Sequence, residues 1–269
     1  MLLNLSRNST YQKEVIFLLL LYSTLIISFF LGENSTGGAI IDYNNQKSIS
    51  KKFSEDFFST LLSFDEFGTR HSPVLILILS FFEKINLPDS LIRFIHLHIC
   101  LLLPIFFYKC LTNKFKNTDK GILLLLSALI FISPTFRSLS IWPDSRLFGL
   151  MFFTMSIFYF LKFDIEKKFF FAVCNVVSLA LCAYFSPNFC VFSLFFLFKF
   201  ISHYGFFSKK ILILVLINLF LSLPAFYYVF ILDVKFFLKS AIGIKSNENL
   251  IFDNLFNDIL ITFSIIFFV

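Results

Sequence analysis

Nine long apolar runs cut the chain into segments, at 15–31, 73–87, 91–108, 121–136, 146–161, 169–185, 188–202, 211–231 and 255–269. A hydrocarbon layer of roughly 30 Å is crossed by ~20 helical residues, fewer where the bilayer thins or polar flanks snorkel. Repetition at this length implies an all-α fold, a polytopic transmembrane helix bundle forming one membrane domain over residues 1–269. Composition agrees: only 15% of residues are charged, against about 25% in ordinary globular chains. The net charge is +6, but the lysines fall between the runs, so nucleic acid is not an expected partner. The five cysteines lie in or beside apolar segments with no CxxC pair, and read as small buried hydrophobes. The first run lacks a small-residue cleavage site and reads as an anchor.

Short loops rich in lysine and arginine mark the cytoplasmic side of a membrane. The segments KCLTNKFKNTDK (109–120), KFDIEKK (162–168) and SKK (208–210) alternate with 133–146, 186–188 and 232–250, so the first three share one face. Arg7 and Lys13 favour a cytoplasmic N-terminus too. If all nine runs crossed, the 109–120 loop would lie opposite the N-terminus, so one early run must fail to span. The weakest is 73–87, with about ten apolar residues before Glu83 and Lys84, a length suited to an interfacial or re-entrant helix. About eight spans remain. The chain stops inside the run ITFSIIFFV without a polar tail, and we expect a truncated C-terminus.

On this topology, residues 32–90 form an external loop carrying interfacial helices. Ile49, Phe53, Phe57, Leu61 and Phe64 recur every three or four residues, one apolar stripe on a helix lying in the interface plane. STGG (35–38) returns Asp42 towards the bundle, and GTRHSP (68–73) breaks into the short apolar helix. The loop at 133–146 gathers Arg137, Trp142, Asp144 and Arg146 on the same external rim. Trp142 reads as an interfacial anchor, with stacking on a sugar ring as the alternative.

The order of these features resembles the GT-C membrane glycosyltransferases, and within them the dolichyl-phosphate-glucose α-1,2-glucosyltransferase family and related bacterial proteins. The segments that carry it are IIDYNN (40–45) after the first span, RHSPVLIL (70–77), LIRFIHLH (91–98) and LSIWPDSRLFGLMF (139–152). Two positions depart from that family. Tyr43 stands where a second acidic residue is expected, and FSPN (185–188) lacks the arginine of the family's Arg-Gln-Thr-Asn stretch.

The resemblance implies an enzyme of the bacterial inner membrane or the ER membrane that moves a sugar from a polyprenyl-phosphate donor to a glycan or lipid-linked acceptor. Its partners would be those two substrates and membrane lipids. Asp42 is then the candidate general base, the alternative being a solvated loop aspartate. Asp144 is a second catalytic carboxylate or acceptor binder. It also suits a helix start, since Pro143 fits the first helical position and an aspartate after it complements the helix dipole. Arg137 and Arg146, with Arg70, His71 and Arg93, are candidates to hold the donor phosphate, because a guanidinium fork matches phosphate geometry. The alternative for each is snorkelling to headgroups. No H-E-x-x-H, P-loop or G-x-G-x-x-G occurs. No metal ligand set is legible, and a divalent metal on one or two loop carboxylates stays open as a cofactor. A flippase for a lipid-linked saccharide, and a non-catalytic or truncated copy, remain the competing functions.

Overall fold

Glycines and prolines at the ends of the apolar runs decide where the helices stop and start. The computed structural model describes residues 2–69 and 71–232, with side chains from residue 16 onward except that of residue 230. Arg70, the lysines after residue 232 and the ninth apolar run lie outside the described residues. The first helix, α1 (Leu2–Leu31), ends at Gly32, whose φ of 64° is left-handed. Gly32 N–H donates to Phe29 O and Glu33 N–H to Ser28 O, the paired bonds of a Schellman motif, which a residue without Cβ accommodates best. The turn that follows sends the chain into α2 (Ala39–Glu55).

The apolar stripe over 48–64 is broken, and here the structure departs from the single interfacial helix expected. Asp56 adopts an extended conformation, ends α2, and accepts from Ser59 N–H to cap α3 (Phe57–Leu62). An aspartate at this position satisfies a helix-start N–H that would otherwise lack a partner. Ile49, Phe53 and Phe64 are buried together with Ile76, whereas Phe57 is 44% exposed. The four-residue spacing from Phe53 to Phe57 carries across the break in the sequence, but the extended Asp56 between them leaves the two halves in different surroundings.

After Gly68 closes a short 3-10 turn, Pro73 opens α4 (Pro73–Lys84), 12 residues that pack along α2. At about 18 Å long this helix is too short to span a bilayer. Next, α5 (Asp89–Cys100) and α6 (Leu102–Lys114) run on as one 26-residue apolar helix. Pro104 cannot donate to Cys100 O, and the register changes at Leu101, within that turn. α7 (Lys120–Ala128) tightens into a 3-10 turn through Ile132, then bends by 64° into α8 (Pro134–Ile141). Ser133 is extended, as the residue before a proline is pushed to be, and its hydroxyl caps the new helix at Phe136 N–H.

The remainder is a helical stack of α9 (Ser145–Glu166), α10 (Phe169–Phe185), α11 (Phe192–Tyr204) and α12 (Lys209–Phe226), the last passing into a π-turn at Tyr227–Ile231. Among the described residues, three helices are long and apolar enough to cross a membrane: Asp89–Lys114, Ser145–Glu166 and Lys209–Val229. The bent pair Lys120–Ile132 and Pro134–Ile141 makes a fourth if it counts as one span, and Ile16–Leu31 and Phe169–Phe185 are shorter apolar helices. Among the described residues there is no strand. One core joins α1, α2, α4, α5, α8 and α9 around Leu25, Tyr43, Leu79, Leu97, Ile141 and Met151; another joins α9 to α12 around Phe163, Leu179, Phe200 and Leu214. Leu212, Leu216, Leu219, Phe220 and Leu223 on α12 remain more than half exposed. So large an apolar face suits lipid better than water.

Candidate functional site

Three chain breaks bring the site together. The turn after α1 is closed by Asn34, whose Oδ1 accepts from Ala39 N–H at 3.1 Å, so α2 begins with Asp42 in its first turn. Next, the extended pre-proline residue Ser72 donates its hydroxyl to Tyr184 O at the end of α10 and holds His71 against the bundle. Last, the chain leaves α8 at Trp142 and enters α9 through Asp144, which is itself the N-cap. Helix α9 therefore starts two residues later than Pro143 would allow. The reason is that the Asp144 carboxylate, on an extended backbone, accepts from Arg146 N–H at 2.7 Å.

Arg146 is the hub of the resulting cluster. Its Nε donates to both Asp144 oxygens, at 2.9 and 3.2 Å, and its Nη2 reaches Asp144 Oδ2 at 2.7 Å and Asp42 Oδ2 at 2.8 Å. The two carboxylates differ in their surroundings. The Asp144 side chain is 2% exposed, that of Asp42 18%, and that of Arg146 47%. Burial by itself would raise the Asp144 pKa. The Arg146 bonds and charge outweigh it, helped by His71, and hold this carboxyl below the usual carboxylate range. His71 is buried, with Nδ1 3.3 Å from Ser145 Oγ and Nε2 3.9 Å from Asp42 Oδ1.

Of the residues singled out in the sequence, Asp42, His71, Asp144 and Arg146 thus meet in one place. Arg137 and Arg93 stand in other networks. Arg137 Nε donates to both Glu33 oxygens at 3.0 Å and its Nη2 to Glu33 Oε2 at 2.8 Å; Ser28 and Thr24 hydroxyls and Phe131 O take further donors. Its fork is closed on a carboxylate. The Arg93 guanidinium carbon sits over the Trp142 ring, 3.5 Å from its centroid, and its Nε donates to Ile141 O at 3.2 Å. Its Nη2 is buried without a hydrogen-bond partner among the described residues. Trp142, half-buried against the core, donates its indole N–H to Glu33 O at 3.0 Å. An indole N–H taken from water needs such an acceptor.

Reading the sequence did not single out Glu33, Ser145, Gln46 or Asp89. Asp89 takes the Tyr43 hydroxyl and the Lys47 ammonium, each at 2.5 Å. Tyr43, standing where an acidic residue was expected, is therefore a donor to a carboxylate; burial and that carboxylate push its hydroxyl well above the usual range. Gln46 is fully buried on the inner face of α2, one turn beyond Asp42, and neither amide atom has a hydrogen-bond partner among the described residues. The spacing of Ala39, Tyr43, Gln46, Ser50 and Phe53 is the signal that could have placed it, since it puts all five on one face.

Chemically, the cluster offers a partly exposed carboxylate, a buried carboxylate that anchors a guanidinium, and an imidazole. Asp42, His71 and Asp144 also offer one ligand atom each within 4.8 Å of one another, a donor set that suits a divalent ion. Arg146 already stands between the two carboxylates and supplies positive charge where such an ion would. No protein-family model, curated protein or solved structure matches this chain.

Proposed function

We propose that the chain is a membrane glycosyltransferase, a GT-C-like bundle of about eight spans that transfers a hexosyl group from a polyprenyl-phosphate donor to a glycan or lipid-linked acceptor. The observation that supports this reading is the meeting of Asp42, on α2, with Asp144 and Arg146 at the head of α9, through one guanidinium. Two carboxylates of unequal burial and a cation are what displacement of a lipid phosphate requires. Asp42 removes the proton from an acceptor hydroxyl. The hydroxyl oxygen then bonds to the anomeric carbon, and the bond to the phosphate oxygen breaks with its electron pair leaving on the lipid phosphate. Arg146 meets that developing charge, and Asp144 keeps Arg146 aimed. In this reading the site lies on the external rim, periplasmic or lumenal, with the N-terminus cytoplasmic.

The test is sugar transfer in membranes holding the chain, its Asp42→Asn variant or its Asp144→Asn variant, offered a panel of polyprenyl-phosphate sugars. Transfer by the unaltered chain and its loss in Asp42→Asn, at equal expression, is the expected result. Equal transfer by all three removes Asp42 as the base. No transfer from any donor by the unaltered chain overturns the reading.

A further inference from the structure

The end of the bundle away from the Asp144 cluster has a composition of its own. The helix made by α5 and α6 runs parallel to α9, and α9 to α11. His96 and then Phe106 pair with Phe148 and then Phe158 of α9, at 4.7 and 5.5 Å. Phe153 and then Phe163 of α9 pair with Phe192 and then Tyr204 of α11, at 4.6 and 5.6 Å. Their last turns, and the short turns that lead on to α7, α10 and α12, therefore meet at one end. The three segments there, 109–120, 162–168 and 199–210, hold ten lysines, three carboxylates and no arginine. That excess of seven positive charges is larger than the +6 of the whole chain. The carboxylates are already committed. Asp119 caps α7 through the N–H groups of Gly121 and Ile122, Asp164 pairs with Lys167, and Glu166 pairs with Lys162 and Lys168. The other seven lysines are exposed and have no carboxylate partner among the described residues.

Each segment also bares phenylalanine beside its lysines. Phe115 stands between Lys114 and Lys116, Phe170 follows the Lys167–Lys168 pair, and Phe206 and Phe207 precede Lys209; all four are exposed, Phe207 to 96%. Water is a poor medium for such rings, and the boundary between acyl chains and headgroups accepts them. We propose that this end of the bundle is a binding surface for anionic glycerophospholipids: the lysines gather the headgroup phosphates, and Phe115, Phe170, Phe206 and Phe207 sit at the acyl boundary beneath. Lysine clusters next to membrane helices attract anionic leaflets in this way. Lysine is a strongly hydrated point charge on a flexible stem, whereas an arginine fork holds one phosphate in fixed geometry. Ten lysines without an arginine therefore suit a fluid array of headgroups better than a single bound anion. A soluble polyanion would meet the same charge but give the phenylalanines no apolar medium, so the observations favour the lipid. The surface lies at the opposite end of α9 from Asp144 and does not depend on the chemistry proposed for that cluster.

The experiment places the full chain in phosphatidylcholine vesicles and measures, by electron spin resonance, the motionally restricted fraction of spin-labelled phosphatidylglycerol and of spin-labelled phosphatidylcholine. Phosphatidylglycerol should be preferred about fivefold at low salt, the attraction of a single lysine near a charged surface. The preference should fall towards parity in ~1 M salt, where charge is screened beyond about 3 Å. Lys116→Gln, Lys209→Gln and Lys210→Gln together should remove most of it. Lys51→Gln, Lys52→Gln and Lys84→Gln together, the same loss of charge from exposed positions on α2 and α4, should leave it in place. Equal falls in the two triple variants would trace the preference to net charge and overturn the surface. A lack of preference in the unaltered chain also overturns it, and that result needs no variant to fold. Loss of the preference to glycerol phosphate, added at constant ionic strength, would assign the lysines to free phosphate and overturn the lipid. In Phe207→Trp, brominated acyl chains should quench the fluorescence that the new residue adds. Fluorescence untouched by bromine would place this loop in water and overturn the seating of the phenylalanines.

Discussion

The closed pair of Arg137 and Glu33 should behave as a structural clamp between α8 and the end of α1, and its pH dependence can be worked out. The Arg137 fork, with smaller help from the Ser28 and Ser35 hydroxyls and against the opposing effect of burial, lowers the Glu33 pKa from 4.5 to about 2. One pKa unit corresponds to about 1.4 kcal/mol, so the shift bounds the clamp near ~3 kcal/mol. The Glu33 side chain is 22% exposed, and solvent screening brings the expectation to about 1–2 kcal/mol. Because the folded pKa is depressed, this stability is fully present above the unfolded pKa of about 4.5. It is lost as pH falls towards 2. Thermal unfolding in detergent, of the unaltered chain and of Glu33→Gln, measures it. At pH 7 Glu33→Gln should lower stability by about 1–2 kcal/mol, and the gap should close between pH 4.5 and 2. A gap that is absent at pH 7, or undiminished at pH 2, refutes the assignment.

Two further outcomes follow from packing and polarity. A Cβ at Gly149 would stand 2.5 Å from Ser186 Cβ and 3.5 Å from Ser186 N, so Gly149→Ala should lose about 1–3 kcal/mol by overpacking. The gain in helix propensity, up to about 1 kcal/mol, works the other way; a melting temperature at or above that of the unaltered chain would refute the contact. Gln46→Met replaces a buried amide that has no hydrogen-bond partner among the described residues by a side chain of similar volume, and should raise stability by about 1–3 kcal/mol. A fall in melting temperature would mean that the amide is satisfied.

Much of the architecture was legible because helix ends are written locally. Pro73 and Pro134 announce helix starts, Gly32 a helix stop, and Asp144 a place at the head of α9. The all-helical fold and the apolar helices that suit a bilayer follow from run lengths alone. The break at Asp56 was hidden, since the apolar spacing carries across it in register and only the aspartate's capping bond reveals it. The pairings were not legible at all. Arg137 and Arg146 look alike in sequence, each an arginine at an apolar border. One is closed by Glu33 and the other half-open between Asp42 and Asp144, a difference made by the 64° bend and the turn after α1. Hydropathy has no term for which carboxylate a folded chain delivers to a given guanidinium.

The N-cap of α9 ties this cluster to the membrane. Asp144 and Arg146 sit at the first residues of a 22-residue apolar helix, about 33 Å long, and a helix of that length takes its height from the thickness of the hydrocarbon around it. Asp42 belongs instead to α2, which no apolar run carries through the bilayer. A thinner or thicker membrane would then raise or lower one half of the Asp42–Arg146 contact against the other, so that lipid chain length becomes a setting on the site itself.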